Sequence, residues 1–224
     1  YRPGEGHEAK HGSLSETLLR LIREESLRER TVLDVGCGKG RLTFALAEKA
    51  GRIIGIDWSD QLIQEAGQHA RTLGLDHITF MCSDAERIEY RELGPIDLVV
   101  AHLCMSDEII RRAAAVLAPG CCIAFSTLHR DQWKESGRIS RYAYAEGHLE
   151  TALLEGGFEP VYLGVEQEVV HFAGQDEGLS YLESAGIGEK WRTDGRWKRF
   201  LTHLQDGRRD LTIKARVIVK ARRR

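Results

Sequence analysis

Ten residues, Thr31 to Gly40, constrain this chain more than any others: Thr-Val-Leu-Asp-Val-Gly-Cys-Gly-Lys-Gly. Thr31, Val32, Leu33 and Val35 have the apolar, β-branched composition of a buried strand. Gly36, Gly38 and Gly40 follow at alternate positions, and from Arg41 the residues Leu42, Phe44, Ala45, Leu46 and Ala47 take a helical pattern. Strand, glycine turn and helix in succession form a turn whose backbone can approach a ligand with no Cβ in the way. The helix start beyond it presents N–H groups to a negative charge. Spacing excludes two phosphate-binding loops. A magnesium-nucleotide loop needs Ser or Thr after Gly-Lys, and Gly40 stands there. The dinucleotide fingerprint needs its third glycine where this chain has Arg41. An Asp-x-Gly-x-Gly-x-Gly ligand loop and an ordinary glycine-rich turn both remain.

Two further strand ends bear on that choice. Arg52 to Asp57 reads as a second buried strand ending in an acid, 21 residues after Gly36. In a doubly wound sheet an acid at that place binds the ribose hydroxyls of an adenosine-type ligand. His77 to Cys82 reads as a third strand, followed by Ser83-Asp84-Ala85. Asp84 also reads as a plain helix N-cap ahead of Glu86 and Arg87.

Taken in order, Asp34 to Gly40, Ile54-Gly-Ile-Asp57-Trp58-Ser59 and Asp84-Ala85 resemble the class I methyltransferases that use S-adenosylmethionine. That resemblance implies a loop contact set of Asp34, Gly36, Cys37, Gly38 and Gly40. It implies ribose contact from Asp57 with Trp58 beside it, adenine-edge contact from Asp84 and Ala85, and S-adenosylhomocysteine as product. Ile96 to Leu103 resembles the family's fourth motif, which brings Ala101 and His102 toward the sulfonium. Leu117-Ala-Pro-Gly120 before a fifth strand, Cys121 to Thr127, is another resemblance, although the link between these strands is shorter than the family pattern.

The alternation of strands and helices predicts an α/β, Rossmann-like fold: a mostly parallel seven-stranded sheet with one antiparallel strand. With 224 residues the expectation is one domain spanning 1–224. Residues 1–12, with Tyr1, His7 and His11, read as a mobile arm, and Ser13 with Glu16 as a capping box on a helix of Leu14, Leu18, Leu21 and Ile22. Helices are expected over about 59–73, 106–117 and 146–155, a long bent strand over 158–171, a helical insertion over 174–208, and a last antiparallel strand over 211–221. The formal charge of −2 argues against a general nucleic-acid binder. No apolar run reaches membrane-spanning length and no leader pattern opens the sequence. The five cysteines form no C-x-x-C pair and read as reduced thiols of a cytoplasmic protein; the nine histidines show no metal-ligand spacing.

Methyl transfer from a sulfonium needs alignment and exclusion of water more than acid–base help. A carboxylate acceptor needs no base, whereas a hydroxyl or amine can use one. His102, at the end of the fourth strand, is the candidate base; the competing reading is a core histidine. His129, Tyr142 and Tyr144 are candidate walls of the acceptor pocket, or packing residues. The later segments Phe125–Leu128, Leu149–Phe158, Gly178–Gly186 and Leu211–Ala221 resemble the malonyl–carrier-protein methyltransferases of biotin synthesis. That likeness implies a small or carrier-tethered acid as acceptor. Residues 188–224 hold thirteen Lys and Arg against four Asp and Glu, a net +9 that leaves −11 on the rest. An acidic carrier protein, RNA phosphates or a solvated basic tail would each account for it. An RNA or protein methyltransferase and a non-catalytic adenosylmethionine-binding module stay as alternatives, and the glycine spacing disfavours a nicotinamide oxidoreductase.

Overall fold

In the computed structural model, which describes residues 14–224, the chain runs α1 (Glu16–Arg23), β1 (Thr31–Val35), α2 (Arg41–Leu46), β2 (Arg52–Asp57), α3 (Asp60–Thr72) and β3 (Ile78–Cys82). It continues through a 3₁₀ turn (Tyr90–Leu93), β4 (Leu98–His102), α4 (Asp107–Val116), β5 (Cys122–His129), β6 (Ala143–Tyr144) and α5 (Glu146–Glu155). The last elements are β7 (Phe158–His171), α6 (Gln175–Ser184), α7 (Gly188–Thr193), α8 (Arg196–Gln205) and β8 (Asp210–Arg223). The expected arm and the Ser13 cap lie outside the described residues. Ser15 caps α1 instead, its Oγ accepting from Leu18 N at 3.0 Å.

The strand order is β3-β2-β1-β4-β5-β8-β7. β1 pairs in parallel with β2 on one side and β4 on the other, with Val35 beside both Ile56 and Ala101. The order therefore reverses between β1 and β4, and ligands of open α/β sheets bind outside the carboxyl ends of the strands at such a reversal. β8 runs antiparallel to β7, because Phe172 N donates to Arg209 O while Arg224 N donates to Gly157 O. It also runs antiparallel to β5, where Arg223 bonds Gly120 and Cys121. This is the expected sheet, with one addition: the two-residue β6, which pairs with the end of β5 (His129 beside Tyr144). β5 is longer than the sequence suggested and includes His129.

The described chain divides into two compact units. The larger holds Leu14–Thr127, Ala145–Gly164 and Val217–Arg224. Its core is aliphatic: Leu18 and Ile22 of α1, Val32, Leu42, Leu46, Ile53, Val100 and Ile218 are all buried together. The smaller unit holds Leu128–Tyr144 and Val165–Arg216. Its core is aromatic, with Phe172, Trp191 and Phe200 buried and Trp133 packed against them. Trp133 and Trp191 meet edge to face, and buried Arg196, paired with Asp194 at 2.7 Å, lies over both rings.

In the smaller unit, side chains stand in for a strand. Past the end of β5, Gln132 Nε2 donates to Ile213 O and Gln132 Oε1 accepts from Ala215 N, both at 2.7 Å. Glu135 then accepts from Thr212 N at 3.0 Å and Thr212 Oγ1 at 2.7 Å. An amide and a carboxylate thus satisfy backbone groups of β8 that would otherwise be orphaned.

Candidate functional site

Each candidate in the larger unit stands at the carboxyl end of a strand. β1 ends in the glycine turn, whose Gly36, Gly38 and Gly40 have φ of 66°, 53° and 82°. All three are left-handed, a region costly for a residue with a Cβ. Gly36 has a second reason: a Cβ there would lie 2.3 Å from Cys104 Sγ. At Gly38 a Cβ would meet nothing within 4 Å among the described residues, which leave open space above the middle of the turn.

Asp34, one residue before the end of β1, is fully buried. Its Oδ2 accepts from Thr43 Oγ1 at 2.5 Å, while Oδ1 has no hydrogen-bond partner among the described residues. Burial pushes its carboxyl up to about 7 against the opposing Thr43 bond. A buried, half-satisfied carboxylate is costly on its own and is relieved by a cationic or N–H donor from a ligand. Asp57, at the end of β2, accepts from Gly38 N through Oδ2 and from Ser59 N through Oδ1, both at 2.9 Å. It thereby ties the glycine turn to the next strand. A carboxylate has about four lone-pair positions, so each oxygen can still accept from a hydroxyl. Trp58 beside it is 83% exposed.

Asp84 follows β3. Its Oδ1 accepts from Glu86 N at 2.9 Å and its carboxylate meets Arg87 at 3.3 Å, so it performs the turn-capping role that its neighbours suggested. Being exposed, it keeps room for a ligand contact as well. Ala101 is buried on β4 beside Val35. His102 ends β4 with its Nδ1 3.0 Å from Ser126 Oγ on β5. Ser126, fully buried, is a site residue that the sequence reading did not single out. Its signals were a polar side chain directly after the apolar run Cys122–Phe125 and its place in the family-like segment Phe125–Leu128. The next residue, Leu103, has φ 58°, and its N–H donates to Ser126 O at 2.8 Å.

His129, Tyr142 and Tyr144 belong to the smaller unit. His129 is buried and its Nδ1 accepts from Asp131 N at 3.2 Å. Tyr144 pairs beside it, and Tyr142 is exposed with the Arg141 guanidinium over its ring. Among the described residues no group of three His, Cys, Asp or Glu side chains could hold a metal ion, and no helix is long and apolar enough to cross a membrane.

A family model described as "Methyltransferase domain" matches residues 27–186. The chain belongs to the methyltransferase domain family. The ubiquinone biosynthesis O-methyltransferase of Coxiella burnetii is 34% identical to this chain over 119 residues, 50% of each. The chain thus spans about half the length of the curated relatives it matches. Among solved structures, the YcgJ protein of Bacillus subtilis superposes with a TM-score of 0.68 at 14% identity, over 94% of this chain and 99% of that one. Magnesium protoporphyrin IX methyltransferase from Synechocystis, with bound S-adenosylhomocysteine, superposes with 0.62 at 17% identity, over 93% and 80%. These likenesses show a shared fold, and the class I resemblance read from Asp34 to Gly40 holds at the level of family and fold.

Proposed function

We propose that this methyltransferase transfers the methyl group of S-adenosylmethionine to an oxygen of a small molecule. The observation that carries the reading is the half-satisfied Asp34 carboxylate beneath an open glycine turn. S-adenosylmethionine supplies an electrophilic methyl group and, in its amino-acid half, an ammonium. Asp34 and the turn of Gly36, Cys37, Gly38 and Gly40 bind that half, with Asp34 Oδ1 receiving an N–H. Asp57 takes the ribose hydroxyls while keeping Gly38 in place. Trp58 offers an apolar face to the adenine, whose edge meets Asp84 and Ala85. Ala101, with no bulk beyond its Cβ, leaves room near the sulfonium. His102 accepts the proton of a hydroxyl acceptor; a carboxylate acceptor needs only alignment. His129, Tyr142 and Tyr144 serve the acceptor.

The oxygen acceptor is supported by relatives named as ubiquinone O-methyltransferases. An acidic carrier protein or RNA has less support, because part of the basic C-terminal stretch is committed internally. Lys214 pairs with Glu166, Lys220 with Glu24 and Glu25, Arg222 with Glu25, and Arg196 with Asp194. We read residues 1–224 as one cytoplasmic methyltransferase domain, with 174–208 as its helical insertion.

Thermal shift with S-adenosylmethionine, S-adenosylhomocysteine and NAD tests the cofactor. The first two should raise the melting temperature and NAD should not; Asp57→Ala should abolish the rise. Labelled-methyl transfer to 3,4-dihydroxybenzoate and to malonyl–carrier protein then tests the acceptor. Methylation of the carrier substrate alone would replace the small-molecule reading. Cofactor binding without transfer to any acceptor would leave the binding-module reading.

A further inference from the structure

We infer that Ser126 is a positioning residue that fixes the tautomer of His102. The inference rests on the reading of His102 as the base. Three observations meet at this point. Ser126 is the parallel-register partner of His102, so the two side chains leave adjacent strands at the same level. Ser126 Oγ lies 3.0 Å from His102 Nδ1. The backbone of the same serine holds the turn that ends β4, since Ser126 O accepts from Leu103 N at 2.8 Å.

That turn is strained. Leu103 has φ 58°, a region that a branched side chain rarely occupies and that persists only where the surroundings impose it. The strain ends the strand directly after His102 and keeps the ring at the strand's tip. One residue, fully buried and unable to reorient, therefore grips both the ring and the backbone beside it.

The tautomer follows from the base reading together with this contact. With Nδ1 tied to Ser126, an acceptor must approach Nε2. A general base needs a lone pair there, so the ring proton sits on Nδ1 and is donated to Ser126 Oγ. When the acceptor hydroxyl loses its proton to Nε2 as the methyl–oxygen bond forms and the methyl–sulfur bond breaks, the imidazolium keeps its Nδ1–H bond to the serine. The positive charge that left the sulfonium then resides on the ring. Balance requires no further reagent.

The test is a two-bond proton–nitrogen spectrum of protein carrying labelled histidine, with His102 assigned by its loss in His102→Gln. The wild type should show the Nδ1–H form. Ser126→Ala should shift His102 toward the Nε2–H form that imidazole prefers in water, and Ser126→Thr should restore Nδ1–H. Retention of the S-adenosylhomocysteine thermal shift shows that the variants are folded. A wild-type ring carrying its proton on Nε2, or a spectrum that Ser126→Ala leaves unchanged, overturns the inference. The base reading fails separately: if His102→Gln retains methyl transfer while the wild-type ring is Nδ1–H, His102 is not the base and the Ser126 contact still stands.

Discussion

The two ends of the parallel sheet are built on opposite terms. At the amino end, charge is closed off. Asp97 accepts from Arg30 Nη1 and Thr31 N, both at 2.8 Å, and Glu25 meets Lys220 at 2.8 Å and Arg222 at 2.9 Å. A cavity of about 70 Å³ remains among these residues and Cys121 and Cys122, but its charged groups already hold one another. At the carboxyl end, capacity is left over: the Asp34 oxygen, the open turn, the exposed apolar face of Trp58 and the strained backbone of Leu103. The lesson is that a cavity alone is a poor guide to a site. The end that is left unsatisfied in the free protein is the one prepared for a ligand.

The sharpest way to break this contrast is Gly36→Ala. It adds a left-handed penalty to a clash with Cys104, and about 2 to 4 kcal/mol of stability should go, together with the cofactor-induced thermal shift. Chemical denaturation with and without S-adenosylhomocysteine measures both.

Next in size is a pair of opposite pH signatures. Asp34 is raised in the fold by its burial, to about 7 from an ordinary 3.8, so the folded state binds its proton more tightly. Its contribution is present below about pH 4 and is lost as pH rises toward 7, on the order of 2 to 4 kcal/mol in all. Asp34→Asn should flatten that loss, melt higher than wild type at pH 8, and no longer respond to cofactor. For Glu25, burial pushes upward, but hydrogen bonds from Lys220 and Arg222 outweigh it and hold the carboxyl below its usual range. Its stabilisation is present above the ordinary carboxylate range and is lost as pH falls through the lowered value. Melting temperatures from about pH 2 to 8 separate the two.

Lys220→Ala should cost about 2 to 3 kcal/mol, because it removes a buried ammonium that also binds Leu21 O. Cofactor affinity, by calorimetry, should stay within twofold. The smallest effect is Leu103→Gly: relief of strain should add about 1 kcal/mol by denaturant titration.

The larger unit was legible because its signals are local and agree. Strand composition, glycine spacing and terminal acids each fall within a few residues, whereas the register of β1 with β2 and β4 came only from the structure. The lengths of β5 and β8 were less visible, since partners distant in sequence set strand ends. Asp34 was found by motif, but nothing in a string of letters shows that one of its oxygens is left over. Ser126 was read as part of a family-like segment and not as a partner of His102, because their meeting depends on β4 and β5 being neighbours. The basic C-terminal stretch left its meaning open for the same reason. Its charge is plain in sequence, whereas the Glu24, Glu25 and Glu166 that absorb it lie far along the chain or on another strand.

The side-chain clamp of Gln132 and Glu135 on β8 sets an order of events. These bonds span 77 to 83 residues, so they cannot form until β8 has followed Gln132 and Glu135 out of the ribosome. The amides of Thr212 and Ala215 should therefore acquire protection only after that strand is made. They report completion of the smaller unit, and deuterium uptake at those two positions tells a molecule with β8 in place from one still waiting for it.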